Sequence, residues 1–250
     1  MNVEVTNWTF GGHGLIHTFS DSCTAKRGCD GVDHMSYLTD RAFDYVVIQG
    51  SRSDDSEGFL SLIERIMSIF RQANSAVKFA YLVPYSAYGT IGSKIFLYKN
   101  ILNSLKSLSE SGVTVVDWGG LVMDIMNGSV KVPDATQIYE KNTFVIQKSE
   151  KDGYHPNQLS GYITTLMTFC AITGATAVGQ PYDFCNNEAL RSTDGHPRFF
   201  SFNRFVSDYY SYGDATTNYP AVFASASDML GIQSLIDSHL AHKGYLSYDF

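Results

Sequence analysis

The sequence predicts an α/β fold: a three-layer α/β/α domain on a mostly parallel sheet, followed by a loop-rich C-terminal extension. Three observations carry that expectation. Unbroken apolar runs of strand length recur as "FDYVVIQG" (43–50), "VKFAYLVPY" (77–85) and "VTVVDW" (113–118). Runs that do not alternate with polar residues mark strands covered on both faces. Stretches with apolar residues at helical spacing lie between and after them, and strand–helix alternation implies parallel strands with helices on both faces.

Taken in order, Val3 to Phe10 alternates apolar and polar residues and predicts a strand over 3–8 that ends at Gly11-Gly12. The next strand is expected at 43–49. "EGFLSLIERIMSIFRQAN" follows, with Phe59, Leu60, Ile63, Ile66, Met67 and Phe70 on one helical face. A strand at 77–83 stops at Pro84. "SKIFLYKNILNSLKSLSESG" is expected to be helical as far as Gly112, a suitable C-terminal cap. A strand at 113–117 comes next, and "LSGYITTLMTFCAITG" is a helix closing at Gly174. Beyond it the rhythm stops: residues 175–220 are loop-rich, and "SDMLGIQSLIDSHLAHKG" forms one last helix. The expected organisation is a domain over 1–178 and an extension over 179–250 packed on it. Functional loops in such sheets lie at the carboxyl ends of the strands, here Gly11-Gly12, Gln49-Gly50-Ser51 and Pro84-Tyr85-Ser86.

Composition narrows the function. A hydrophobic fraction of 44% with 17% charged residues supplies ample core. The formal charge of −7 argues against nucleic-acid or anionic-membrane partners, which need concentrated Lys and Arg. No apolar run reaches the roughly 18 residues of a membrane span. The opening "MNVEVTNW" has neither the basic nor the apolar region of a signal peptide, which leaves localisation open between cytoplasmic and secreted. The four cysteines show no CxxC pair, so no metal is expected. Cys23 and Cys29 could close a small disulfide loop, and Cys170 is expected as a buried free thiol. Sixteen Tyr and sixteen Phe, crowded between His196 and Tyr219, hint at a carbohydrate or other hydroxylated ligand, although ring burial preferences favour an aromatic core.

The chemistry centres on "KDGYHPNQLSGYITTL" (151–166). Asp152 and His155, three apart in a turn before a helix, can meet directly. A histidine that takes a proton from a hydroxyl needs a carboxylate to fix its tautomer and stabilise the imidazolium. The plainer alternative is an Asp-Gly turn with an exposed histidine, Pro156 and Asn157 opening the helix. The echo Asp194-Gly195-His196-Pro197 lacks the strand-to-helix setting and is treated as a decoy.

"DGYHPNQLSGYITTLMTFCAITG" resembles the last block of the SGNH (GDSL-like) hydrolases, whose D-x-x-H element supplies the base and its orienting acid. "VEVTNWTFGGHGLIHTF" resembles the second block of that superfamily, a strand ending in an oxyanion-hole glycine, here Gly12 or Gly11. "FDYVVIQGSRSD" resembles the third, with Gln49 as the side-chain amide donor in the manner of a glutamine-type subgroup; Ser51 and Ser53 are the fallbacks if the register shifts. The resemblance spans residues 3–178. It implies a flavodoxin-like sheet and a serine esterase or deacetylase acting on a small-molecule or carbohydrate ester, with no cofactor.

The departures concern the nucleophile. The superfamily's serine lies in a Gly-Asp-Ser or Gly-Asn-Ser block ending the first strand, and no such block precedes Val3 in the 250 residues. The first strand is therefore expected to be missing, and something must fill its central slot, since unpaired backbone groups there are costly. Ser20 and Ser22 in "TFSDSC" are weak substitutes. "YPAVFASASDMLG" imitates a strand–serine–helix first block and would make Ser227 the nucleophile of a circular permutant; the plainer reading makes Ser227 or Asp228 a helix N-cap. His13 and His17 lack a third metal ligand, while His34, His239 and His242 read as surface residues. The alternative to an enzyme is a non-catalytic SGNH-fold binding domain, and oligomeric state is not legible.

Overall fold

In chain order the elements are β1 (Tyr45–Gln49), α1 (Phe59–Ala73), β2 (Lys78–Leu82), β3 (Tyr88–Ile91), β4 (Lys94–Leu97), α2 (Lys99–Glu110), β5 (Thr114–Val116), α3 (Trp118–Met126), α4 (Lys141–Phe144), α5 (Gln158–Thr173) and α6 (Ala226–His242). The computed structural model describes residues 4–5, 14–15, 19, 40–50, 54–84, 88–91, 94–144, 156, 158–182 and 225–243. β1, β2 and β5 form a three-stranded, all-parallel sheet in the order β1-β2-β5, so the protein is α/β as its apolar runs predict. Contacts divide the chain into two compact units: Met1–Tyr81 with Tyr98–Val115 and Phe250, and Leu82–Leu97 with Val116–Asp249.

The first unit is held by aromatic and branched side chains from α1, α2 and the strands. Phe59, Ile63, Ile66, Met67 and Phe70 are the buried residues of α1, the spacing read from the sequence. Phe70 meets Phe43 and Phe79 edge to face at 5.8 and 6.5 Å, and Phe59 meets Tyr81 at 5.4 Å. Such ring pairs add about 1 kcal/mol each beyond the area they bury. α1 ends at Asn74, whose Nδ2 donates to the Phe43 carbonyl at 2.9 Å while its Oδ1 accepts from Ala76 N at 3.0 Å. One side chain thus closes the helix and ties it to the approach to β1. α2 buries Ile101, Leu102, Leu105 and Leu108 and stops before Gly112, whose φ of +87° is the left-handed conformation the cap requires.

Three local expectations are corrected. Residues 3–8 were expected as a strand; Glu4 and Val5, the described part, are not in one, and Val5 is 81% exposed, while the rest of that stretch lies outside the described residues. Lys94–Leu97 is strand β4, not the start of the helix; it pairs antiparallel with β3 in register Tyr88↔Leu97 to Ile91↔Lys94. Ile95-Phe96, a β-branched and an aromatic residue, favours extended backbone. The helix proper begins at Lys99.

The third correction is α3, hidden by Gly119-Gly120. It follows β5 directly and buries nearly every residue. Asp117 caps it, Oδ1 accepting from Gly120 N at 3.0 Å. A Cβ on Gly120 would strike the Asp117 carboxylate, so the residue that looks like a helix breaker is what lets the cap close. The signal was present as an aspartate before an apolar run.

In the second unit α3, α5 and α6 pack on one another. α6 opens with a reciprocal capping box: Ser225 Oγ accepts from Asp228 N, and the Asp228 carboxylate accepts from Ser225 N. The N-cap is therefore Ser225, not Ser227 or Asp228. Gly231 is buried where a Cβ would meet the Pro133 carbonyl oxygen, with Val132 Cγ1 at 2.9 Å. Glycine to alanine in a free helix gains roughly 1 kcal/mol, but backbone cannot yield as a side chain tip can. Gly231→Ala is expected to lower unfolding free energy by about 1–3 kcal/mol; a rise in the urea midpoint would show that this close approach is absent.

Candidate functional site

Gln49 closes β1 with its side chain exposed, at the carboxyl end of the parallel sheet, where ligands of such folds bind. Gly11, Gly12, Asp152 and His155 lie outside the described residues, as do Ser20, Ser22, Ser51, Ser53, His13 and His17, and the Cys23–Cys29 pair. The helix implied after the D-x-x-H element is present as α5, and it carries Cys170, free and buried. Burial pushes that thiol up to about 11, which suits packing rather than reactivity.

The loop after β1 is fastened by its own carboxylates. Asp54 is fully buried, and its Oδ2 accepts from Leu15 N at 3.0 Å. Leu15 belongs to the "GGHGLIHTF" stretch, and Phe19 N donates to the Leu15 carbonyl at 2.9 Å. Phe19 also packs on Phe70 at 6.3 Å. Asp55 Oδ1 accepts from Ile101 N at 3.0 Å, in the first turn of α2, where an anion complements the exposed amides. A Cβ on Gly50 would lie 2.6 Å from the Tyr81 hydroxyl oxygen and 3.5 Å from Asp54 Oδ2. Two segments that the resemblance assigns to one oxyanion hole are thus joined by a hydrogen bond 39 residues long in sequence.

The second unit carries an acid–histidine pair that sequence reasoning missed. His239 is not a surface residue: its Nε2 lies 3.2 Å from Asp117 Oδ2, and its side chain is only 15% exposed. Burial pulls its pKa down, but the Asp117 hydrogen bond and the charges of Asp117 and Asp124 outweigh it, leaving it above the ordinary 6.5. Asp124 is raised by its own burial, against which the His239 charge works. The pair joins the N-cap of α3 to the last turn of α6. Nothing local around His239 marks it, since the partner lies 122 residues away. His242 is exposed as expected.

Asp228 is the other buried acid of this unit. It accepts from Thr136 N at 2.5 Å, Thr136 Oγ1 at 2.7 Å and Ser225 N at 2.9 Å. Burial raises its pKa, but these hydrogen bonds prevail and hold it below the ordinary carboxylate value. Ser227 Oγ sits 2.9 Å from Ser225 Oγ, within the same capping turn. Among the described residues no group of three or more His, Cys, Asp or Glu side chains could hold a metal ion. No helix there is long and apolar enough to cross a membrane.

The described residues define an α/β protein in which β1 ends at Gln49 and Asp54 and Asp55 beyond it are anchored by hydrogen bonds. No family model, no curated protein and no solved structure matches the chain.

Proposed function

We propose that the protein is an SGNH-type serine ester hydrolase, an esterase or deacetylase whose substrate class is acylated carbohydrate or a similar small ester. The observation that carries this reading is the Leu15 N–Asp54 Oδ2 hydrogen bond. It ties Leu15, three residues after Gly12 in sequence, to Asp54, five residues after Gln49, and so supports an oxyanion hole made from one backbone amide and one side-chain amide.

In the proposed reaction a serine hydroxyl attacks the acyl carbonyl while His155 Nε2 or Nδ1 takes its proton and Asp152 accepts a hydrogen bond from the other ring nitrogen. Gly12 N–H, or Gly11 N–H, and the Gln49 amide donate to the tetrahedral oxyanion, each worth about 3 kcal/mol in such sites. Collapse expels the alcohol, which receives the proton from His155. Water then attacks the acyl-serine with His155 again as base, releasing the acid and restoring the hydroxyl. No metal or organic cofactor enters these steps.

The reading leaves the nucleophile to a Gly-Asp-Ser or Gly-Asn-Ser block, so the experiment adds one. p-Nitrophenyl acetate turnover is measured for the 250-residue chain and for the same chain preceded by a strand ending in Gly-Asp-Ser. Near-background turnover by the first and clear turnover by the second is expected. Strong activity of the first that Ser227→Ala removes would instead make the chain a circular permutant. Inactivity of both, with retained ligand binding, would favour the non-catalytic binding domain.

A further inference from the structure

The Tyr81 side chain is fully buried, and among the described residues its hydroxyl has no partner in good hydrogen-bonding geometry, the Gly50 backbone being the group that approaches it. A buried hydroxyl left without a partner costs about 1–3 kcal/mol, and native proteins seldom keep one without use. Tyr81 stands one residue before the end of β2, and its ring is fixed edge to face on Phe59 in the first turn of α1. It therefore cannot swing away. Its oxygen is the atom a Gly50 Cβ would approach to 2.6 Å, and Asp54 Oδ2 borders the same point at 3.5 Å. Burial, with Asp54 next, pushes the phenol far above its ordinary range, while the nearby Gly50 amide works the other way; the group stays a neutral hydroxyl at every working pH.

Resting on the hydrolase reading above, we propose that Tyr81 is a positioning residue: its hydroxyl is the stop against which the Gly50 backbone seats, and this seating sets where the adjacent Gln49 amide presents itself to the oxyanion. The arrangement explains both otherwise unmotivated features. Position 50 must be glycine because any Cβ would collide with a phenol that cannot move. The phenol in turn carries an oxygen that packing alone would not select, since phenylalanine would fill the same slot without a stranded polar atom.

The test uses Tyr81→Phe, Gly50→Ala and the double variant. Melting midpoints are read on the 250-residue chain, and kcat and KM on the chain preceded by the added Gly-Asp-Ser strand. Tyr81→Phe is expected to keep or raise the midpoint, because it deletes a buried unpaired hydroxyl, yet to lower kcat about tenfold with KM little changed, as a small misplacement of a catalytic donor does. Gly50→Ala is expected to lower the midpoint, and adding Tyr81→Phe to restore most of it. Unchanged kcat in Tyr81→Phe, where His155→Ala is inactive, would overturn the positioning role and leave the hydrolase reading intact. Failure of the double variant to recover would overturn the steric stop itself. Inactivity of the extended chain would sink the hydrolase reading, and the role of Tyr81 with it, whatever the melts show.

Discussion

Asp117→Ala is expected to lower the unfolding free energy by about 3 kcal/mol, because it removes two interactions and strands one of the two partners, His239. The carboxylate is buried, caps α3 through Gly120 N and faces His239 at 3.2 Å. Loss of a cap costs roughly 1 kcal/mol, and a buried charge deprived of its partner accounts for the rest, discounted because the imidazole can shed its proton. Asp117→Asn keeps a capping acceptor and should cost about half as much. The pair also predicts a pH dependence. The folded pKa of His239 is raised above its unfolded value of 6.5 by Asp117 and Asp124 despite burial. Its contribution is therefore complete below about pH 6.5 and is lost as pH rises through the folded value. Urea unfolding from pH 6 to 9 should show stability falling in the wild type, less steeply in His239→Gln. Equal slopes in the two proteins would refute the link between α3 and α6.

Under the proposed hydrolase reading, in the chain preceded by an added Gly-Asp-Ser strand, His155→Ala is expected to lower kcat about 10³-fold with little change in KM, since proton transfer acts in the transition state and not in substrate binding. Gln49→Ala should cost about 10²-fold, again mainly in kcat, as loss of one oxyanion donor does. Asp152→Asn belongs with His155→Ala, because an amide cannot fix the histidine tautomer or stabilise the imidazolium. Steady-state turnover of p-nitrophenyl acetate decides. A His155→Ala protein that keeps most of its kcat would remove the D-x-x-H element from the chemistry and return it to a helix-entry turn.

The elements that were legible are those whose sequence signal is long and locally consistent. "FDYVVIQG", "VKFAYLVPY" and "VTVVDW" hold β1, β2 and β5, and the apolar faces of α1, α2, α5 and α6 follow the expected spacing. Errors arose where a local preference was decided by something distant or unusually close. β4 was merged into a helix because Ile95-Phe96-Leu97 is apolar under either periodicity, and length alone did not separate them. α3 was missed because its glycines speak against helix until the Asp117 carboxylate is placed beside them. His239 read as exposed because its partner is far off in sequence, whereas the anchoring acids Asp54 and Asp55 showed no pattern at all. Of the candidate site, only Gln49 falls among the described residues, as the exposed last residue of the parallel strand β1; the closeness of Asp54, Tyr81 and Gly50 beyond it emerges only from contacts across the fold.

The polar seams of α6 limit how this protein can change over evolutionary time. Along that helix Asp228 grips Thr136, Gln233 donates to Tyr162 and accepts from Gly179, Asp237 accepts from Ala177, and His239 meets Asp117. Each hydrogen bond demands an orientation that apolar packing would forgive. One residue inserted between Asp228 and His239 would turn everything beyond it by about 100°. Two whole turns would restore the phase but carry the later partners about 10 Å along the axis. Insertions and deletions are thus barred from this stretch, and drift is channelled into substitutions on the outer stripe of Leu230, Ser234 and Ser238, which faces away from every seam.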